Sequence, residues 1–149
     1  MPLTYIIEGK TQIPDVQLKK IADTVAQFAA VTEKAEIGVA FVSSQRSREL
    51  NKRYSHNDYP TDVLSFDYKS TPENPTIGDI AICKDIAISQ ASEYGINSEA
   101  ELALLLVHGT LHLLGHDHQD KTQIASLDKL QSDIMESLDY KYRDFKWSH

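Results

Sequence analysis

Leu102-Ala103-Leu104-Leu105-Leu106-Val107-His108-Gly109-Thr110-Leu111-His112-Leu113-Leu114-Gly115-His116-Asp117-His118 reads as the end of a central helix that is apolar nearly all round. A helix without a polar stripe is buried, and a buried helix is a rigid platform for the side chains at its end. Ser98 with Glu101 three residues on fits a capping box and sets the expected start at Asn97–Ser98. Gly115 stands where a helix closing in a left-handed turn wants a residue without a Cβ. Leu102 to Val107 is the longest purely apolar run, far too short to span a bilayer.

Four of the six histidines lie in the stretch from His108 to His118. His108 and His112, four apart on a helix, project from one face, and a turn at Gly115 lets the chain bring His118 back towards them. Three neutral imidazoles with a fourth position open make a catalytic zinc site. His108, His112 and His118 are the predicted ligands, since His116 points elsewhere if Gly115 starts a turn. Asp117 either orients a ligand, as oxygen acceptors do for metal-bound imidazoles, or bonds backbone in its own turn. The spacing H-x-x-x-H-x-x-G-x-x-H is that of the metzincin peptidases, whose glutamate after the first histidine takes a proton from the attacking water. Gly109 occupies that position and cannot act as a base, which weighs against a hydrolase of peptides or small amides.

Upstream of this stretch, Leu3 to Glu8 alternates and reads as a strand. Pro14 and Asp15 open a helix with Leu18, Ile21, Val25, Phe28 and Ala29 at helical spacing and Lys19-Lys20 on its exposed side. Ile37 to Val42 is a second strand, and Ser43 or Ser44 caps a helix running to about Tyr54. His56-Asn57-Asp58-Tyr59-Pro60 is turn chemistry leading into Thr61–Phe66, a strand with Val63 and Ser65 on one face and Asp62, Leu64 and Phe66 on the other. Lys69 to Thr76 is a loop, Ile77 to Cys83 a strand paired with or next to the previous one, and Lys84 to Tyr94 a helix stopped by Gly95. Lys121 to Leu138 is amphipathic through Ile124, Leu127, Leu130, Ile134 and Leu138. The tail, with Tyr140, Tyr142, Phe145 and Trp147, is either an ordered cover or a frayed end. The order β-α-β-α-β-β-α-α-α gives an α+β fold: a single domain over residues 1–149, a small mixed sheet of about four strands with helices packed on it, and a metal site at the end of the buried central helix.

A chain of 149 residues, 41% hydrophobic and 25% charged, describes an ordinary globular domain. Its N-terminus lacks a basic region followed by a long apolar run, so no secretory signal is expected. Cys83 is alone, so no internal disulfide is available, which fits a reducing cytoplasm, and no cysteine joins the histidine cluster. A net charge of −7 argues against coating nucleic acid through bulk charge. It leaves room for a local basic stripe, and Arg46, Arg48, Lys52 and Arg53 make one. The simpler reading of that stripe is a solvated helix face with Glu49 and Arg53 as an i, i+4 pair.

Three ordered motifs then point one way. The histidine stretch, Pro60-Thr61-Asp62-Val63-Leu64-Ser65-Phe66 and Gly78-Asp79-Ile80 together resemble the signature of the YbeY-type family of bacterial ribosomal-RNA maturation factors. The resemblance runs from about Glu49 to Leu138. It implies one zinc ion per chain on His108, His112 and His118. It also implies endoribonuclease activity in finishing the 3′ end of 16S ribosomal RNA, with ribosome quality control beside it. The implied partners are ribosomal RNA and the small ribosomal subunit, with ribosomal proteins or GTPase assembly factors as further candidates, and no membrane. Members commonly carry an arginine after the tyrosine equivalent to Tyr54, where this chain has Ser55, and His116 fills a tyrosine slot. Arg53 or His56 is the nearest replacement, although one residue along a helix turns a side chain by about 100°.

A zinc site of this kind cleaves a phosphodiester either through activated water or by polarising a phosphoryl oxygen for 2′-hydroxyl attack. Either path builds negative charge and wants a cationic or N–H donor nearby. Arg53, His56, Asp62 and Ser65 are the candidate catalytic residues, with Lys52 a further cation. Each has a plainer role as surface charge or turn anchor: Thr61 and Asp62 secure the entry to their strand, and Asp79 caps a turn after Gly78. The rival reading is a zinc-stabilised assembly factor that binds ribosomal RNA or protein and cleaves nothing.

Overall fold

A computed structural model describes residues 2–68, 75–116 and 120–144. Four strands form one mixed sheet in the order β1-β2-β4-β3. Strand β1 (Leu3–Glu8) and β2 (Ala35–Val42) are parallel and are joined through α1 (Asp15–Phe28), because parallel neighbours need a crossover. Strand β4 (Thr76–Cys83) continues the parallel set on β2, and β3 (Val63–Asp67) runs antiparallel to β4 at the sheet's edge. The remaining helices are α2 (Ser44–Ser55), α3 (Lys84–Tyr94), α4 (Ser98–Leu113) and α5 (Lys121–Ser137). The α+β class, the single domain and the full element order are those read from the sequence. No helix among the described residues is long and apolar enough to cross a membrane.

One face of the sheet carries the core. Ile37, Val39, Ile80 and Ile82, each at most 1% exposed, alternate along β2 and β4 towards the buried helices. Leu104, Leu105, Leu106 and Val107 of α4 are fully buried, and burying each such side chain stabilises the fold by about 1.5–3 kcal/mol. Helices α1 and α5 complete this layer through Leu18, Ile21, Val25, Leu127, Ile134 and Met135. Phe28 departs from the expected stripe and is half exposed, as α1 ends there.

The capping box at the start of α4 is not formed. Asn97 is the cap, its side chain accepting from the Glu99 amide at 2.7 Å, and Ser98 is already helical. Glu101 is buried instead and accepts Arg143 Nε at 2.9 and 2.8 Å. Tyr140 donates to Glu99 at 2.7 Å, so the tail through residue 144 is an ordered cover over this end of the helix. Phe145, Trp147 and residues 69–74, most of the expected loop, lie outside the described residues.

Candidate functional site

The far end of α4 closes as the glycine implied. Gly115 has φ +91, its N–H bonds His112 O at 3.1 Å, and the His116 N–H reaches back to Leu111 O at 3.2 Å. This is the paired closure that a left-handed residue makes possible. His108 and His112 stand one turn apart just before it, His108 half-buried and His112 exposed. His108 Nδ1 lies 3.2 Å from Oε1 of Gln131, a buried side chain on α5. With the amide oxygen accepting, Nδ1 carries the proton and Nε2 presents its lone pair, the arrangement of a metal-ligating imidazole. His116 instead lines a cavity with Asp67, Ile77, Leu113 and Leu114, and burial holds its imidazole below the usual histidine range.

At position 109 the sheet comes close enough that a side chain would crowd it. A Cβ there would stand 3.1 Å from both Ile80 Cδ1 and Ser65 Oγ. Gly78 repeats the theme on β4, where a Cβ would meet the Phe66 carbonyl and a Leu113 methyl. The helix end is thus seated against β3 and β4, and Ser65 lies beside the residue between the two histidines.

The other candidates fall in two places. Asp62 heads β3, accepts the Val63 amide at 2.8 Å, and lies 3.8 Å from Arg143 Nη2 and 3.5 Å from Gln90 Nε2. It belongs to the buried charge group of Glu101 and Arg143. Arg53 and His56 lie at the end of α2. The Arg53 guanidinium sits 5.4 Å over the Tyr54 ring, which meets Phe66 edge-on at 5.0 Å, so Arg53 approaches the outer side of β3. His56 ends α2 in a left-handed conformation, φ +61. The expected Glu49–Arg53 pair gives way to Arg46–Glu49 at 3.3 Å, while Arg48 and Lys52 reach Asp58 at 2.7 and 3.9 Å. Thr61 is pinned as a turn anchor, its N–H donating to Ser47 Oγ at 3.0 Å. Asp79 caps no turn: it lies within β4 and accepts a hydrogen bond from the Tyr68 hydroxyl.

Among the described residues no group of three or more His, Cys, Asp or Glu stands together to hold a metal. His118, the third predicted ligand, and Asp117 lie outside those residues. The two described histidines fit zinc in donor type, in spacing and in the orientation that Gln131 gives one of them.

The chain matches the Endoribonuclease YbeY family over residues 6–139. It belongs to that family. Membership supports an endoribonuclease role in ribosomal-RNA processing, and the family is one of metalloenzymes. The solution structure of TM1509 from Thermotoga maritima shares the fold, with a TM-score of 0.65 at 25% identity over 91% of this chain and 89% of that one. Within the YbeY frame, sequence reasoning missed Gln131 and Arg143. Gln131 had a signal, a polar residue between Leu127 and Ile134 on a buried stripe. Arg143, among aromatic residues in the tail, had none.

Proposed function

We propose that the chain is a zinc-dependent, single-strand endoribonuclease that acts at the 3′ end of 16S ribosomal RNA on the small ribosomal subunit, in the cytoplasm, with one zinc ion on His108, His112 and His118. The observation that carries this reading is the His108–His112 pair on a buried helix, with His108 oriented by Gln131. When bound, zinc supplies a Lewis acid able to activate water or a phosphoryl oxygen near neutral pH. Around it, this chain's own residues have separate tasks. Gln131 fixes the His108 tautomer, and Ser65 offers a hydroxyl beside the helix. Arg53 and His56, at the end of α2, bring positive charge to the groove side of β3, where it attracts the phosphates of an RNA strand that crosses this edge to the histidines. Asp62 is engaged with Arg143 and holds the head of β3 in place rather than moving a proton.

The test is cleavage of a small-subunit precursor RNA within ribosomal particles, comparing zinc-quantified wild type with His112→Ala, both checked for folding by circular dichroism. Cuts near the 3′ end and a zinc content near one per chain, both lost in the variant, are expected. Equal cutting by the two proteins would overturn the metal mechanism. Binding of particles without cutting by either would favour the assembly factor, which Ser55 at the arginine position and the charge of −7 support.

A further inference from the structure

The face of the sheet opposite the core holds a groove of about 480 Å³ that the histidine site does not use. Its floor is the small-residue stretch Gly38 and Ala40 of β2, and Tyr54, Phe66, Tyr68 and Asp79 stand round it. Tyr54 and Tyr68 are more than half exposed, with Tyr54 and Phe66 edge to face. Asp79 is the half-buried polar group of the cleft. One carboxylate oxygen accepts from the Tyr68 hydroxyl, and the other rests over Gly38 in space that a Cβ would fill. Among the described residues that second oxygen has no hydrogen-bond donor. Accepting from Tyr68 keeps its phenol protonated, its pKa pushed up to about 12 by the carboxylate beside it.

Asp79 and Glu8 line the cleft, which disfavours a phosphate there. Arg46, paired with Glu49, lines the groove and Arg53 rides on Tyr54, so cations mark its α2 side. An aromatic-walled groove with a carboxylate acceptor in it and cations on its α2 side is complementary to a nucleotide whose base enters and whose phosphate stays out. Bases taken out of a stack are held by aromatic side chains and read on their Watson–Crick edge. The groove is also next to the histidines across one edge strand. Ser65 faces Gly109 while Phe66, the next residue, faces the groove.

We propose that this groove is a nucleobase pocket for the RNA substrate, selective for guanine, with Asp79 accepting the N1–H and N2–H donors and Tyr54 and Phe66 holding the ring. Guanine alone places two adjacent donors opposite one carboxylate. Adenine, cytosine and uracil each put an acceptor against one of its oxygens. The inference rests on reading the chain as an endoribonuclease, and an RNA strand crossing the edge of β3 touches both sites.

Binding of 5′-GMP, 5′-IMP, 5′-AMP, 5′-CMP and 5′-UMP, followed by NMR shifts of Phe66 and Tyr68, tests it without reference to cleavage. GMP is expected to bind about tenfold or more tighter than AMP, CMP or UMP, from the cost of a mismatched bidentate contact, with IMP between. Asp79→Asn removes the preference, and Tyr54→Leu weakens all five alike; both variants are checked for folding by circular dichroism. GMP binding that persists in His112→Ala separates the pocket from the metal site, whatever cleavage shows. No shift at millimolar nucleotide, or binding blind to the base, overturns the proposal and leaves the endoribonuclease reading intact. Tighter binding of arginine methyl ester than of GMP also overturns it and gives the groove to a basic polypeptide.

Discussion

The two ends of α4 treat their polar side chains in opposite ways. At the start, Glu99 accepts from Tyr140 and the fully buried Glu101 is neutralised by Arg143, both partners coming from the tail. At the finish, His108 is oriented by Gln131 from α5 and His112 stands exposed. One end uses charge to close the molecule on itself, and the other uses hydrogen bonding to aim a side chain outward. A rod buried between them keeps the two tasks apart, which is why a stability change at one end and a metal or activity change at the other are separable.

The strongest way to break that separation is Arg143→Ala. Removing one partner of a buried pair leaves an uncompensated charge and costs about 3–5 kcal/mol, read by urea unfolding. Burial pushes the Glu101 carboxyl above the usual range, and Arg143 pulls it back. In the variant that pull is lost, so the folded state holds the Glu101 proton more tightly than the unfolded state does. This contribution favours the fold below the unfolded carboxylate pKa and is lost as pH rises through the folded one. The gap between variant and wild type therefore widens towards neutral pH and narrows in acid. Zinc per folded chain should not change; a matching loss of zinc would show that the ends are coupled.

Gly109→Glu tests the other end. It places a carboxylate where the metzincins keep theirs, but the side chain meets Ser65 and Ile80 at 3.1 Å from its first carbon. Overpacking together with an unpaired charge should cost about 3 kcal/mol or more. The expected result is a destabilised protein with no peptide cleavage across a peptide library. A stable variant that cut peptides would mean the helix end is open at this face.

The element order was legible because every helix and strand carries its own period, and because Gly95 and Gly115 mark helix ends by backbone geometry alone. What failed needed a distant partner. Ser98 and Glu101 have capping-box spacing, yet Arg143, 42 residues away, draws Glu101 inward, and Asn97 takes the cap. Asp62, a catalytic candidate by its motif, has the same Arg143 within 3.8 Å, a neighbour no local spacing announces. Asp79 read as a turn residue after Gly78, whereas pairing with β3 and β2 makes it a strand position over Gly38. The histidine pair needed only local spacing, and Gln131 is the polar residue within the apolar stripe of α5.

Gln131→Leu sharpens the comparison by removing the hydrogen bond to His108 while keeping a side chain of similar bulk. Partners of ligating histidines are worth about 10–100-fold in metal affinity, so a competing chelator should extract zinc that much more readily. Stability in the metal-free protein should change little, since an apolar side chain replaces one that is already buried. A large loss of stability with unaltered zinc affinity would make Gln131 a structural residue like Glu101.

The smallest effect is expected from Ser55→Arg. Ser55 closes α2 and is exposed, so a long side chain enters without displacing core, and stability should stay within about 0.5 kcal/mol. The new guanidinium would stand beside Tyr54, whose ring touches Phe66 on β3. It would add a cation for the RNA strand at this edge of the sheet, and an exposed charge contact of this kind is worth up to about 1 kcal/mol, or roughly fivefold in rate. A few-fold gain in cleavage, falling as salt is raised, is the expected outcome. An unchanged or lower rate would mean that Arg53 and His56 already meet the need, and that the outward-facing end of the molecule is complete without the family's arginine.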